Sequence, residues 1–378
     1  MLDYELLRLI WWALLGILLI GFAILDGFDL GVAGLLPFVS KTDIERRVVL
    51  NTVGPVWEGN QVWLILGGGA IFAAWPALYA VSFSGFYLAI FLALFAIIIR
   101  PVGFKFRSKM PSKTWRQFWD MALFIGGIIP ALIFGVAFGN LFLGVPFYFN
   151  EELRSFYTGG FFDLLSPFPL LCGVLAIAMM LLQGATFLSL KTEAKIQQRP
   201  RHYGQWIGIG TALLFALCGV WLWADIDGYA IVSEINTAGS SNPVIKEVIR
   251  KTGAWMSWHQ TNPLTYSIPA FAIFMALMTA LLLKVNCHMS AFITSSLTTF
   301  FIIATAGLSL FPFLLPSSTT PNHSLTVWDA SSSQMTLFVM LIATLIFLPI
   351  VLVYTAWVYR VLRGKVTEKS IKKETNAY

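Results

Sequence analysis

Apolar stretches recur along the whole 378-residue chain, separated by short polar segments, and most of them run for about 20 residues. A run of that length crosses the hydrocarbon core of a bilayer as one α-helix. Because lipid offers the backbone no hydrogen-bond partners, only helices and closed barrels can span it. The composition agrees with the helical case, since 57% of the residues are hydrophobic, 12% are charged and the mean hydropathy is +0.76.

The runs predict an all-α polytopic membrane protein that forms one integral membrane domain over residues 1–378. We expect nine transmembrane helices, followed by a basic tail over residues 360–378. The only long loop between spans covers residues 225–263, which leaves no room for a soluble catalytic domain. The nine predicted spans are residues 9–37, 53–74, 78–99, 118–142, 164–189, 205–224, 264–284, 289–314 and 335–359.

The basic residues are distributed unevenly between the loops. Twenty of the 25 Lys and Arg residues fall in one alternating set of loops and in the tail. The positive-inside rule then predicts a periplasmic N-terminus and a cytoplasmic C-terminus, which only an odd number of spans allows. The opening MLDYELLRLIWW has no basic segment and no cleavage site, so we expect it to be retained. The net charge of +6 is explained by topology, and no nucleic-acid partner is predicted.

Charged residues inside the predicted spans are the strongest functional signal. Asp26 and Asp29 stand three apart in the first span and share a helix face. A carboxylate near the middle of a bilayer costs about 2.5–3.5 kcal/mol on insertion scales. Glu58 lies about one to two turns into the second span, and Arg100 closes the third, both on the cytoplasmic side. These residues are typical of a proton pathway, and the alternative is that the acids pair with Arg100 or cap helices and only fix the packing.

The histidines predict that this chain ligates no haem by itself. A haem inside the bundle needs axial His or Met side chains that project into it. His202 and His288 fall at the cytoplasmic edge, and His259 and His323 fall in outer loops. Three cysteines at unrelated spacings form no metal motif and no disulfide framework. The chain is therefore expected to hold no metal, and to be either a partner of a haem protein or a transporter.

Long motifs occur in order along the chain, and together they resemble one family. The motifs include LLIGFAILDGFDLGV (18–32), ERRVVLNTVGPVWEGNQVWLILGGGAIFAAWP (45–76) and GAWMSW (253–258). They are similar to subunit II of the bacterial cytochrome bd ubiquinol oxidases.

This resemblance implies a fold of two four-helix bundles plus one peripheral helix, in a multi-pass protein of the bacterial inner membrane. It implies a partner, subunit I, that carries haem b and haem d, oxidises quinol and reduces oxygen to water, which generates a proton-motive force. Some members also hold a structural quinone in subunit II, and some complexes contain small single-span accessory subunits.

The resemblance also implies roles for particular residues. Relatives can carry an acid where this chain has Lys105, which argues against proton uptake at that position and leaves Lys109 as the candidate. The proton route toward haem d, and the stable incorporation of that haem, are assigned to Asp26, Asp29, Trp57, Glu58 and Arg100.

Two other functions remain open from the sequence. The chain is a scaffold for subunit I if Glu58→Gln leaves the oxidase active. It is a proton-coupled secondary transporter if it moves a solute without a haem partner, although no paired broken helices in matching halves support this.

Overall fold

The computed structural model describes residues 2–373, and the predicted basic tail, residues 360–378, therefore lies partly outside the described residues. The described part is mostly helical, as predicted. Its α-helices, in chain order, are α1 Tyr4–Val39, α2 Asp43–Val53, α3 Trp57–Ala74, α4 Pro76–Gly85, α5 Tyr87–Phe106, α6 Lys113–Leu143, α7 Pro167–Lys191, α8 Ala194–Ala224, α9 Ser257–Thr261, α10 Ser267–Lys284, α11 His288–Leu310, α12 Gln334–Val361 and α13 Glu368–Lys373.

Within residues 2–373, eight helices are long and apolar enough to cross a membrane. They are α1, α5, α6, α7, α8, α10, α11 and α12, with α5 and α10 each extended by a short 3-10 turn. The 18-residue α3 is outside this group because Glu58, Asn60 and Gln61 make its first turns polar. The polytopic helical fold is confirmed, and nine spans stay a prediction.

Two predicted spans contain breaks in the structure. The predicted span 53–74 is interrupted because α2 ends at Val53 and α3 starts at Trp57, with Pro55 in the turn between them. Proline has no N–H and disfavours helix in the residue before it, which explains a break at this point. The predicted span 78–99 is divided at Phe86, between α4 and α5.

The long helix α1 lies at the centre of the molecule and contacts α3, α6, α7, α11 and α12. We call the two ends of the helix assembly the Tyr4 end and the Val39 end, after the first and last residues of α1. The contact between α1 and α7 is close, because a Cβ on Gly31 would overlap the carbonyl oxygen of Met180. Helices α7, α8, α10 and α11 pack as a closed ring of four, and α12 is the least enclosed of the membrane helices.

The segments at the Tyr4 end are not plain loops, which departs from the all-α prediction. Three antiparallel two-stranded sheets form there. The hydrogen bonds between their paired strands satisfy backbone N–H and C=O groups at this end of the bundle. Arg8 of α1 is fully buried and donates to the carbonyl oxygens of Thr237 and Gly239, at 2.5 and 2.9 Å. These bonds tie the predicted long loop to the helices. The strands are β1 Phe147–Phe149, β2 Ser155–Tyr157, β3 Asp227–Ile231, β4 Val248–Thr252, β5 Phe313–Leu315 and β6 Leu325–Thr326.

Candidate functional site

Asp26 and Arg100 form a buried ion pair between α1 and α5. Arg100 Nη2 donates to Asp26 Oδ1 at 3.0 Å, and Arg100 Nη1 donates to Asp26 Oδ2 at 3.3 Å. Both side chains are at most 1% exposed. A bidentate arginine–carboxylate contact is both stronger and more directional than a single hydrogen bond. The structure therefore brings together two of the residues that the sequence predicted.

Glycine on α6 makes room for this pair. A Cβ on Gly126 would lie 2.9 Å from Arg100 Cγ and 2.9 Å from the carbonyl oxygen of Ala96. Such distances are shorter than van der Waals contact, so any larger residue would displace the arginine or the backbone of α5. Gly126 thus sets the distance between α5 and α6 at the depth of the ion pair.

Asp29 lies one helical turn further along α1 and contacts different partners. Its Oδ2 accepts from Asn60 Nδ2 at 2.8 Å, and Asn60 Oδ1 in turn accepts from the Tyr359 hydroxyl at 2.6 Å. Asp29 and Asn60 are at most 1% exposed. Asp29 Oδ1 is buried and has no hydrogen-bond partner among the described residues. The site therefore contains one acid in a closed ion pair and a second acid with an open oxygen.

The charges in this cluster do not balance when both acids are ionised. Arg100 donates both of its bonds to Asp26, whereas the bond that Asp29 accepts comes from the neutral amide of Asn60. Two carboxylates and one guanidinium carry a net charge of −1, and burying a net charge is costly. The cluster is neutral when it holds one proton, so binding and releasing a proton is the chemistry that it can perform.

The structure separates Glu58 from the buried acids. Glu58 is exposed on α3, whereas Asn60, two residues later, is buried against Asp29. Successive helical residues are about 100° apart, so positions two apart point to nearly opposite sides. Glu58 lies in the first turn of α3, and its carboxylate is on the outer side of the helix.

Trp57 and Lys109 are in different surroundings from each other. Trp57 is buried and packs against Phe104 of α5, with ring centroids 6.0 Å apart. Lys109 is exposed in the short turn after α5. Trp57 thus belongs to the packing beside the cluster, and Lys109 belongs to the surface at the Val39 end.

A second charged network at the Val39 end was missed by the sequence analysis. Asp120 of α6 accepts from Arg107 Nε and from Arg46 Nη1, each at 2.5 Å. Asp43 contacts Arg107 at 3.0 Å and Arg116 at 2.9 Å. The three arginines lie in predicted basic loops, and Asp120 lies near the start of the predicted span 118–142. Their shared acids and the 1% exposure of Arg107 reveal a structural network.

Glu45 of α2 forms another ion pair at this end. Its Oε2 contacts Arg199 Nη1 at 2.7 Å and also accepts from the N–H groups of Lys41 and Thr42. Burial acts to raise the pKa of Glu45, but the bond from Arg199 and the two N–H groups lower it below the ordinary value. The pair joins α2 to α8 only while Glu45 is ionised.

No group of three or more His, Cys, Asp or Glu side chains suited to a metal ion occurs within residues 2–373. His259 was expected at the surface, but it is 2% exposed, with its ring nitrogens 2.8 Å from Thr265 Oγ1 and 3.3 Å from Ser309 Oγ. Burial lowers the pKa of His259, so the neutral ring is favoured. His323 Nδ1 accepts from the N–H of Phe149 at 2.9 Å.

Comparison with known proteins identifies the family to which the chain belongs. The family model described as "Cytochrome bd terminal oxidase subunit II" matches residues 7–362, which is nearly the whole chain. The chain belongs to this family. It is therefore a subunit of a cytochrome bd oxidase, an oxidoreductase complex, and it resides in the bacterial inner membrane.

Individual relatives cover the same length. The chain is 49% identical over 377 residues to "Cytochrome bd-I ubiquinol oxidase subunit 2" of Escherichia coli strain K12, covering 100% of both chains. It is 30% identical over 360 residues to "Cytochrome bd ubiquinol oxidase subunit 2" of Bacillus subtilis strain 168, covering 95% of this chain and 97% of that one.

A solved structure has the same fold. A chain of the bd oxidase from Geobacillus thermodenitrificans matches with a TM-score of 0.67 and 17% identity, over 94% of this chain and 98% of that chain. The family membership agrees with the resemblance noted in the sequence. It implies a partner subunit for this chain and favours an oxidase subunit over a secondary transporter.

Proposed function

We propose that this chain is the haem-free subunit of a quinol:oxygen oxidoreductase and that it conducts protons from the cytoplasm toward the oxygen-reducing centre of subunit I. In this proposal subunit I oxidises quinol, reduces oxygen to water and holds haem b and haem d. The complex generates a proton-motive force because protons are taken up on one side of the membrane and released on the other.

The observation that carries the proposal is the buried cluster of Asp26, Asp29 and Arg100 in apolar helices. A closed ion pair beside a carboxylate with a free oxygen combines a fixed charge with a position that can bind a proton. Intramembrane acids that face a bundle interior are typical of proton relays. Glu58, on the outer side of α3, is proposed to receive protons ahead of this cluster.

The histidine environments support placing the haems in the partner. His259 is held by two hydroxyls, and His323 accepts a backbone N–H. Both ring nitrogens of His259 are therefore engaged, whereas His323 uses only Nδ1, and both residues lie at the Tyr4 end. His202 and His288 lie at the opposite end of the helices.

The test uses the purified complex with Asp29→Asn and, separately, Glu58→Gln. Each variant keeps the side-chain shape and removes the exchangeable proton. We expect quinol-dependent oxygen consumption to fall while the haem d absorption band stays normal. Full activity in both variants refutes the proton pathway.

A scaffold role is the second candidate, and the closed Asp26–Arg100 pair favours it. A bidentate buried ion pair can simply fix the position of α5 against α1. In that case Asp26→Asn lowers the haem d content of the complex, and Glu58→Gln has no effect. The proton pathway thus predicts a loss of turnover with normal haem d, whereas the scaffold role predicts a loss of haem d.

We also propose that α3 is the ninth span, with a periplasmic N-terminus and a cytoplasmic C-terminus. Asn60 of α3 contacts Asp29 towards the Val39 end, and the carbonyl oxygen of Ala74 accepts from Ser332 at the Tyr4 end. These contacts indicate that α3 runs the length of the bundle beside α1. A phosphatase fused after residue 75 should be active and one fused after residue 110 inactive, and the reverse pattern would contradict this topology.

A further inference from the structure

Three helices are joined at the cluster by one continuous chain of hydrogen bonds. The Tyr359 hydroxyl of α12 donates to Asn60 Oδ1 of α3 at 2.6 Å, and Asn60 Nδ2 donates to Asp29 Oδ2 of α1 at 2.8 Å. Asn60 is 1% exposed and Tyr359 is half-buried. The chain ends at an acid whose other oxygen, Oδ1, is buried and unpartnered among the described residues.

The Tyr359 hydroxyl and the Asp29 carboxylate together support one orientation of the Asn60 amide. An amide has one acceptor end and one donor end, and its two orientations are told apart only by the groups that they meet. A hydroxyl that donates to Oδ1 leaves the NH2 group facing Asp29. Reversing the amide would set Oδ1 against a carboxylate oxygen, which places two acceptors face to face. Without the Tyr359 hydroxyl, this orientation of the amide keeps only the hydrogen bond from Asn60 Nδ2 to Asp29.

The Tyr359 ring is itself held by packing. It lies edge-on to Phe28 of α1, with ring centroids 6.4 Å apart. Phe28 also stacks on Phe187 of α7, at 4.0 Å between centroids. The ring therefore stays in place when only its hydroxyl is removed, which makes Tyr359→Phe a specific probe of the hydrogen bond.

We propose that Asn60 and Tyr359 are positioning residues for Asp29, which hold its Oδ2 and leave Oδ1 as the atom that binds and releases the relayed proton. This inference rests on the proposed proton pathway. Asp26 does not offer an equivalent atom, because both of its oxygens are occupied by Arg100. The structure thus gives the two neighbouring acids different tasks, with Asp26 balancing charge and Asp29 moving the proton.

The test compares Tyr359→Phe with Tyr354→Phe in the purified oxidase complex. Tyr354 lies on the same helix, is 63% exposed and contacts Trp357, so it is a matched control. The loss of one hydrogen bond corresponds to about a 2- to 10-fold change. We expect Tyr359→Phe to lower kcat for quinol-dependent oxygen reduction by that factor, with unchanged KM for quinol and an unchanged haem d band, while Tyr354→Phe changes none of these.

A second readout reports on the acid directly. Redox-induced infrared difference spectra contain carboxyl C=O bands, and the band of Asp29 is the one that Asp29→Asn removes. Tyr359→Phe should shift this band, because the partner of Asp29 Oδ2 becomes free to turn. A residue that served only the packing of α12 would not move it.

A double variant tests whether Tyr359 acts through Asn60. Asn60→Leu removes both bonds at similar volume, so adding Tyr359→Phe to it should cause no further loss of kcat. Additive losses, an unshifted band, or loss of haem d in Tyr359→Phe would each overturn the inference. Lowered activity in Asp29→Asn would still leave the proton pathway standing, whereas full activity in both Asp29→Asn and Glu58→Gln overturns the pathway itself.

Discussion

The buried ion pair gives a prediction in which a second mutation restores stability. Arg100→Met removes the guanidinium but keeps a long apolar side chain in the space beside Gly126. Asp26 and Asp29 then remain buried without a cation, and the net charge of the ionised cluster changes from −1 to −2. Adding Asp26→Leu returns that charge to −1 and leaves an apolar contact between α1 and α5. The double variant is therefore expected to be more stable than Arg100→Met alone.

The magnitude follows from burial and distance. Two unit charges about 4 Å apart interact by about 4 kcal/mol at an effective dielectric constant of about 20. Removing one partner of a buried pair costs about 3–5 kcal/mol, whereas replacing both partners by apolar residues is often neutral. Both side chains here are at most 1% exposed, so the buried values apply to this pair. We expect Arg100→Met to lose about 3–5 kcal/mol and Asp26→Leu with Arg100→Met to recover most of it.

The measurement is denaturation of the purified complex in detergent, followed by intrinsic fluorescence and by the haem d absorption band. Fluorescence reports on the fold, and the haem band reports on the haem content of the complex. A double variant that is as unstable as Arg100→Met, or less stable, would refute the electrostatic reasoning. It would show that the shape of the arginine, and not its charge, holds α5 in place.

Three further outcomes are expected. Gly31→Ala should prevent normal assembly of the complex, measured by its yield after size-exclusion chromatography, because the new methyl group overlaps the backbone of Met180. Glu45→Gln should destabilise the complex at pH 7. Its effect should shrink as the pH falls through the lowered pKa of Glu45, because protonation then removes the pair with Arg199 in the unmutated protein too. An equal loss of thermal stability at pH 7 and below that pKa would contradict this. Lys109→Gln should change the free energy of unfolding by less than about 0.5 kcal/mol, because an exposed side chain away from structural features contributes little.

The sequence was sufficient to single out the charged residues of the buried cluster. Asp26, Asp29 and Arg100 stand out because apolar runs surround them, and opposite charges at one depth predict a pair. Hydrophobicity and loop charge do not specify how each helix is rotated about its own axis. Glu58 shows this, because the sequence does not specify the direction of its carboxylate, which follows from the contact between Asn60 and Asp29 on the opposite side of α3.

The polar partners of the acids could not be predicted. Asn60 and Tyr359 are 299 residues apart in the chain and meet only because α3 and α12 both pack on α1. An asparagine in a helix start and a tyrosine near a helix end are ordinary features, so neither carries a signal in a single sequence. The buried position of His259 was missed for the same reason, because folding of the outer segments depends on contacts made by distant residues.

The exposed position of Glu58 bears on how the complex is built. A carboxylate on the outer side of a membrane helix costs about 2.5–3.5 kcal/mol if it faces lipid near the bilayer centre, and less near the interface. Its neighbours on that side of α3 are apolar and exposed, with Ile65 71% and Phe72 59% accessible. An acid at the edge of such a surface is tolerated if a partner helix or water covers it. We therefore expect Glu58 to function only in the assembled oxidase, with subunit I completing the path, whereas Asp26 and Asp29 are organised within this chain alone.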